Sequence, residues 1–396
     1  MSAPTSLTGT GFAPASFAGT EFTRTEFTGP ARPYTGGDPY ADYRAPAPGD
    51  LPFTHLPDLA DRRLGGSVTA ASDEFFAERE NLIRPEPAGF DPTAYGHKGK
   101  MMDGWETRRR RGASADAPHP AEDDHDWAVV RLGVPGVIRG LVVDTAHFRG
   151  NHPAAVRVEA TADPAGAGGW TELLPRTPVG GHAANAFSVA GVERRFTHLR
   201  LSQYPDGGVA RLRAHGEPVA DPAWLAALGT FDLAALEHGG AVEDASDRFF
   251  SPPAHVIHPG RSREMHEGWE TRRRRDHGHD WLRLRLAGQG VIRAVEIDTG
   301  NYRGNAPGWA ALALLDADAP GADWRTVLPR TPLQPDAVHR LVLPDAGPAT
   351  HARLDVHPDG GVARLRLHGS LTEAGARRLV VRHRELTDGL PAAGNA

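Results

Sequence analysis

Apolar and polar residues alternate in short stretches along most of this chain. The segments VIRGLVVD (137–144), AVRVEAT (155–161), THLRLSQY (197–204) and VARLRAHG (209–216) are rich in Val, Leu and Ile, with Gly, Pro or Asp at their ends. That pattern predicts short β-strands with one face turned to a core. YPDGG (204–208) and HPDGG (357–361) read as turns, because Pro presets φ and Gly accepts positive φ. Helical periodicity appears in two places only. Asp221-Pro222 opens AWLAALGTFDLAAL, with Asp as N-cap and Pro in the first turn, which predicts a linker helix over 222–236. A second helix is expected over about 372–386, followed by a free tail.

The strand pattern is written twice. GGSVTAASDEFF (65–76) returns as GGAVEDASDRFF (239–250), and Gly104-Trp105-Glu106-Thr107 with Arg108 to Arg111 returns letter for letter at Gly268 to Arg275. His125-Asp126-Trp127 returns as His279-Asp280-Trp281, LPRTP (174–178) at 328–332, and PDGGVARLR (205–213) intact at 358–366. The first copy carries a polar insertion within 112–124 (ASADAPHPAEDD), which must be a loop. Two long copies mean a duplicated domain rather than a solenoid of short units.

The expected architecture is therefore all-β: two tandem homologous jelly-roll-type β-sandwich domains joined by a short linker helix. The boundaries read as a disordered low-complexity tail over 1–50, a first sandwich over 51–218, a linker helix over 219–237, a second sandwich over 238–370, and a C-terminal helix and tail over 371–396. The tail is rich in Thr, Ala, Gly and Pro with scattered Phe12, Phe17, Phe22 and Phe27, and is expected to be dispensable for catalysis.

Composition narrows the function. The 396 residues carry 44 Lys and Arg against 50 Asp and Glu, a formal charge of −6, which argues against nucleic-acid or acidic-membrane partners. No apolar run approaches the roughly 20 residues of a membrane span, and no secretory signal is seen at the N-terminus. Cysteine is absent, so disulfides, thiolate ligands and a cysteine nucleophile are excluded, and a cytoplasmic setting is expected. No GxSxG elbow, phosphate loop, HExxH or dinucleotide fingerprint occurs.

The candidate chemistry lies in the repeated polar segments. Arg108 and Arg110 share one side of an extended strand, where they either grip a substrate carboxylate or form an ion-pair strip beside Glu106 and Asp126. Glu106 and its counterpart Glu270 sit beside a Trp, where a raised carboxyl pKa would suit proton transfer; pairing with a neighbouring arginine is the alternative. Trp105, Trp127, Trp269 and Trp281 read as core anchors. His125 is followed by Asp126, and Asp144 ends an apolar strand, as a catalytic residue or a turn cap. His277 and His279 share a face if extended, but no third ligand falls at a recognisable spacing; no metal or organic cofactor is indicated. The copies differ where Asp144-Thr-Ala-His147-Phe-Arg149-Gly-Asn151-His152 meets Asp298-Thr-Gly-Asn301-Tyr-Arg303-Gly-Asn305-Ala306. His147 and His152 are unique to the first copy, which favours that copy for proton chemistry, with drift after duplication as the alternative. On these grounds the catalytic candidates are Glu106, His125, Asp144 and His152. Arg108, Arg110, Arg149, Asn151, Glu270 and Arg303 are the candidates for substrate binding. Glu106, His125, Arg149 and His152 are expected to line one small polar pocket.

Taken together, DGWETRRRR, HDW, VDTAHFRGNHP and PDGGVARLR resemble the allantoicase family over roughly residues 55 to 370, duplication included. The resemblance implies two jelly-roll domains, hydrolysis of allantoate to ureidoglycolate and urea in purine breakdown, a cytosolic setting and assembly into homo-oligomers. It assigns no catalytic residues. A double sandwich that only binds carbohydrate or small anions is the reading from a different class.

Overall fold

In a computed structural model, residues 27–47, 49–163, 169–344 and 346–387 are described. The first repeat runs β1 (Ser67–Ala71), β2 (Tyr95–Gly96), β3 (Gly99–Lys100), β4 (Trp105–Glu106), β5 (Asp126–Asp144), β6 (Ala155–Thr161), β7 (Thr171–Pro178), β8 (Ala184–Ser188), β9 (Phe196–Tyr204), β10 (Gly208–Val209) and β11 (Arg211–Pro218). Helix α1 (Pro222–Leu228) follows. The second repeat comprises β12 (Phe231–Asp232), β13 (Ala241–Ala245), β14 (Trp269–Glu270), β15 (Asp280–Asp298), β16 (Trp309–Leu315), β17 (Arg325–Pro332), β18 (Val338–Val342), β19 (Pro348–His357), β20 (Gly361–Val362) and β21 (Arg364–Leu371), with α2 (Glu373–Thr387) at its end.

One long strand organises each repeat. The first part of β5 pairs with β1 and β9 and its last part with β8 and β11, so one 19-residue strand serves both layers of the sandwich. The register breaks between Arg131 and Gly136, where Gly133 and Pro135 interrupt the ladder. β15 does the same with β13, β19, β18 and β21. Beyond β9 and β19 the order β9-β6-β7 is repeated as β19-β16-β17. The duplication seen in the letters is thus a duplication of topology. Trp105 and Trp269 are fully buried at matching places, and one apolar cluster runs without a break from Leu59 in the first repeat to Leu367 in the second.

The linker differs from the expectation. Asp221 caps α1 by accepting from the Ala223 amide, but the helix stops at Gly229, whose φ of 68° it cannot continue through. The apolar residues beyond it, which the pattern assigned to the same helix, open the second repeat. Phe231 and Asp232 pair with β21, and Leu233, Ala234 and Leu236 enter the core. The same contact opens the first repeat, where Leu59 N donates to Ala214 O just as Leu233 N donates to Leu367 O.

The N-terminal segment departs further. Phe12, Phe17 and Phe22 lie outside the described residues. From Phe27 onward, however, the expected disordered tail is a strap on the first repeat, with Gly29 bridged to Gly180 and Arg44 to Ala183. Its Tyr40 and Tyr43 hydroxyls donate to Ala88 O and to Asp144 Oδ1. At the other terminus α2 crosses back to the first repeat: Leu386 is buried with Val137 and Val219, and Arg382 meets Glu217 at 2.9 Å. Among the described residues no helix is long and apolar enough to cross a membrane.

Candidate active site

Glu106 is placed by a two-residue strand. β4 pairs with β10, and alternation sends Trp105 into the core, its Nε1 donating to Asp73 O at 2.7 Å, while Glu106 faces the other way. Glu106 Oε1 accepts from Asn151 Nδ2 at 2.8 Å. Asn151 is itself fixed, because the Gly208 amide donates to its carbonyl at 2.8 Å. A Cβ on Gly208 would lie 2.0 Å from the Phe148 ring, so only glycine lets this turn come so close. Burial pushes the Glu106 carboxyl above its ordinary range, with the Asn151 hydrogen bond and the Arg109 charge pulling back. The second repeat carries the same pair, with Asn305 Nδ2 on Glu270 Oε1 at 2.7 Å.

The arginine run divides by alternation into side chains with and without a carboxylate partner among the described residues. Arg108, expected to hold substrate, pairs with Asp73 at 2.7 Å, and Arg110, expected likewise, pairs with Asp126 at 2.8 Å. Arg272 on Asp247 and Arg274 on Asp280 repeat these contacts at 2.6 Å each. Both arginines of the expected pair are therefore tied to the protein's own carboxylates in both repeats. Arg109 has no ion pair among the described residues, is exposed, and is the cation whose charge reaches Glu106. Between them Thr107 is buried, its hydroxyl accepting from Gln203 Nε2 at 3.1 Å and from the Gly207 amide at 3.3 Å.

The remaining candidates separate. Arg149 turns under the strap, where Nη1 and Nη2 meet the Asp42 carboxylate at 2.6 and 2.8 Å and also reach the Arg32 and Pro39 carbonyls. Its side chain is 11 % exposed, against 84 % for Arg303, which has a single 3.2 Å contact to Asp336. Asp144 is half-buried and tied to the strap, accepting from the Tyr43 hydroxyl at 2.9 Å and the Ala146 amide at 2.8 Å, and burial raises its pKa. His152 packs its Nδ1 against Gly181, where a Cβ would come within 2.6 Å, and burial lowers its pKa and keeps it neutral. His125 bonds Asp123 O at 2.8 Å and lies on the Tyr204 ring, 4.9 Å between centroids. Among the described residues no hydrogen bond or ion pair joins Glu106 to His125, Arg149 or His152. The single pocket expected of these four residues is not formed by direct contact; Asn151 is the candidate that touches Glu106.

The family model of the allantoicase repeat matches residues 57–219 and 231–372, the same two units that the strands define. This chain belongs to the allantoicase family. It is 64 % identical over 369 residues to a probable allantoicase of Streptomyces coelicolor, covering 91 % of this chain and 96 % of that protein. It is 39 % identical over 336 residues to the allantoicase of Dictyostelium discoideum, covering 80 % and 88 %. The crystal structure of the Saccharomyces cerevisiae allantoicase is similar in fold, with a TM-score of 0.65 at 31 % identity over 79 % of this chain and 93 % of that one.

The two allantoicase repeats share a turn whose residues differ. His147 and His182 both take positive φ, and Asn301 and Asp336 do so at the matching places. The His147 amide donates to His182 Nδ1 at 2.9 Å, as the Asn301 amide donates to Asp336 Oδ1 at 2.8 Å. In the first repeat the two imidazoles stack among Tyr40, Tyr43 and Phe90 beneath the strap, and burial pushes His182 down to about 4. No sequence signal marked His182, which stands in GGHAANAF, a segment without a copy in the letters. Among the described residues no three His, Asp or Glu side chains gather as a metal-binding group.

Proposed function

We propose that this chain hydrolyses allantoate to ureidoglycolate and urea, and that Glu106 of the first repeat moves the proton. Family membership over both repeats supports the reaction. The observation that carries the site is a carboxyl with a pKa raised by burial, one oxygen held by Asn151 and a cation nearby that has no carboxylate of its own. Allantoate carries one carboxylate and two ureido groups on a single carbon. Hydrolysis breaks one carbon–nitrogen bond to a ureido group and joins the oxygen of water to that carbon. Ionised Glu106 takes a proton from the water and passes it to the departing nitrogen, so urea leaves neutral and the carboxylate is regenerated. Arg109 grips the substrate carboxylate through two parallel hydrogen bonds. A cytoplasmic setting and homo-oligomeric assembly belong to the same reading and rest on the family resemblance.

Urea release from allantoate by the purified chain is the direct test. Glu106→Gln keeps the hydrogen bond from Asn151 and removes the base, so kcat should fall about 100-fold or more with the fold intact. Undiminished turnover in that variant would remove Glu106 from the reaction while leaving the family's activity in place.

A further inference from the structure

A cavity of about 430 Å³ opens at the seam between the repeats. Six arginines line it: Arg62, Arg63 and Arg84 from the first repeat, and Arg261, Arg263 and Arg364 from the second. Only two carboxylates, Glu86 and Glu267, accompany them, and the lining imidazole of His258 is kept neutral by burial.

Three of the arginines are engaged elsewhere. Arg62 pairs with Glu80, Arg63 with Asp61 at 2.7 Å, and Arg263 with Glu267 at 2.5 Å. The other three make no direct hydrogen bond to a carboxylate. Arg84 stands 3.7 Å from Glu86 and 3.6 Å from Asp103, too far for a direct hydrogen bond. Arg261 is exposed and has no ion pair among the described residues. Arg364 is 5 % exposed and donates only to carbonyls, from Nε to Gly260 at 3.0 Å and from Nη1 to Glu267 at 2.6 Å and Ala363 at 2.7 Å. Its Nη2 has no partner among the described residues.

The duplication supplies the control. Arg211 holds the same place in the first copy of PDGGVARLR and is 1 % exposed, but its Nη2 meets Asp103 Oδ2 at 2.9 Å. Glu267 stands where Asp103 does, one residue before the repeated Gly-Trp-Glu-Thr, yet its carboxylate is turned to Arg263. The second repeat is therefore left with a buried guanidinium that lacks the carboxylate its twin has. Glu267 and Asp298 attract it only through space, so an anion in the cavity would supply the direct contact that Asp103 gives Arg211. Burial, with the neighbouring Arg366 charge adding to it, lowers the pKa of this guanidinium to about 10, against the pull of the Glu267 and Asp298 carboxylates.

We propose that this seam binds a small oxyanion, carboxylate or phosphate, held by Arg364 with Arg84 and Arg261, as a site separate from that of Glu106. Glu106, Asn151 and Arg109 do not line the cavity. The anion is a bridge between the repeats and does not react.

The test follows Tm and calorimetric binding of the full chain with inorganic phosphate and, separately, with malonate, against sodium chloride at equal ionic strength. At least one should raise Tm above the chloride control, and which one does so identifies the phosphate or the carboxylate source. The double variant R84A/R261A, which breaks only the two long Arg84 ion pairs to Glu86 and Asp103, should lose roughly tenfold or more of that affinity. Its allantoate turnover without added anion should stay within about twofold of the parent. Shifts no larger than those of chloride, or equal in parent and variant, would overturn the site. Competition between phosphate and allantoate, with turnover lost in the double variant, would make the seam the substrate site and overturn its separateness; the Glu106→Gln result is read independently of either outcome.

Discussion

Asn151 donates its side-chain amide to Glu106 across 2.8 Å, and that one contact ties the loop after β5 to the strand that presents the carboxylate. The hydrogen bond favours the ionised form of a group that burial pushes the other way. Removing it in Asn151→Ala should raise the Glu106 pKa further. A base must be ionised to act, so the acid limb of the kcat profile should move to higher pH in this variant. Profiles of parent and variant that superimpose would dissociate Asn151 from the proton-transferring group.

The arginine run yields a contrast between neighbours. Arg109→Ala should raise KM for allantoate by roughly tenfold or more, as expected for the loss of a charge-assisted pair, with Tm nearly unchanged because the side chain is exposed and has no ion pair. Arg110→Ala should do the reverse, lowering Tm by leaving the buried Asp126 carboxylate without its cation. Steady-state kinetics and melting curves on both variants check the pair.

Arg149 and Arg303 occupy the same place in the two repeats and should respond differently. Asp42→Ala strands a guanidinium that is only 11 % exposed and should cost about 1.5–3 kcal/mol. Arg303→Ala should stay within about 0.5 kcal/mol. Deleting everything before Asp50 should lower Tm by at least as much as Asp42→Ala, since the Tyr40 and Tyr43 contacts go with it. An unchanged Tm after that deletion would show that the strap adds no stability.

The imidazoles beneath the strap give a pH dependence of stability. His182 is held at about 4, below its ordinary value of 6.5, so the unfolded chain binds a proton that the folded chain refuses. Stability from this group is full above about 6.5 and is lost as pH falls from there toward 4. His147 and His152 are shifted the same way. His182→Asn should flatten the decline of Tm between pH 7 and 4, and denaturant unfolding across that range measures it.

The duplicated strands, the turn sequences and the cap at Asp221 were legible because each is a local pattern that repeats or alternates. So was the raised pKa of Glu106, expected from its place beside a Trp and produced by burial. Which arginines are free was not legible, since it depends on Asp73 and Asp126 arriving from distant strands. The strap was missed for a related reason. Tyr34 meets Phe90, Tyr40 meets Ala88 and His147, and Tyr43 meets Asp144, partners far away in the chain, so the contacts leave no periodicity. The helix after Asp221 was drawn too long because Leu233, Ala234 and Leu236, buried beside β21, fit a helical stripe as well as they fit the opening of a sandwich.

Helix α2 leaves the second repeat and ends on the first, with Leu386 between Val137 and Val219 and its carbonyl accepting from the Arg195 amide at 3.0 Å. With the shared core on one side and this helix on the other, the repeats are fastened at two places and have no free hinge between them. Swinging one against the other would require stripping α2 from its seat. The seam between the repeats is thus bounded on both sides by packed contacts, the common core and the seat of Leu386.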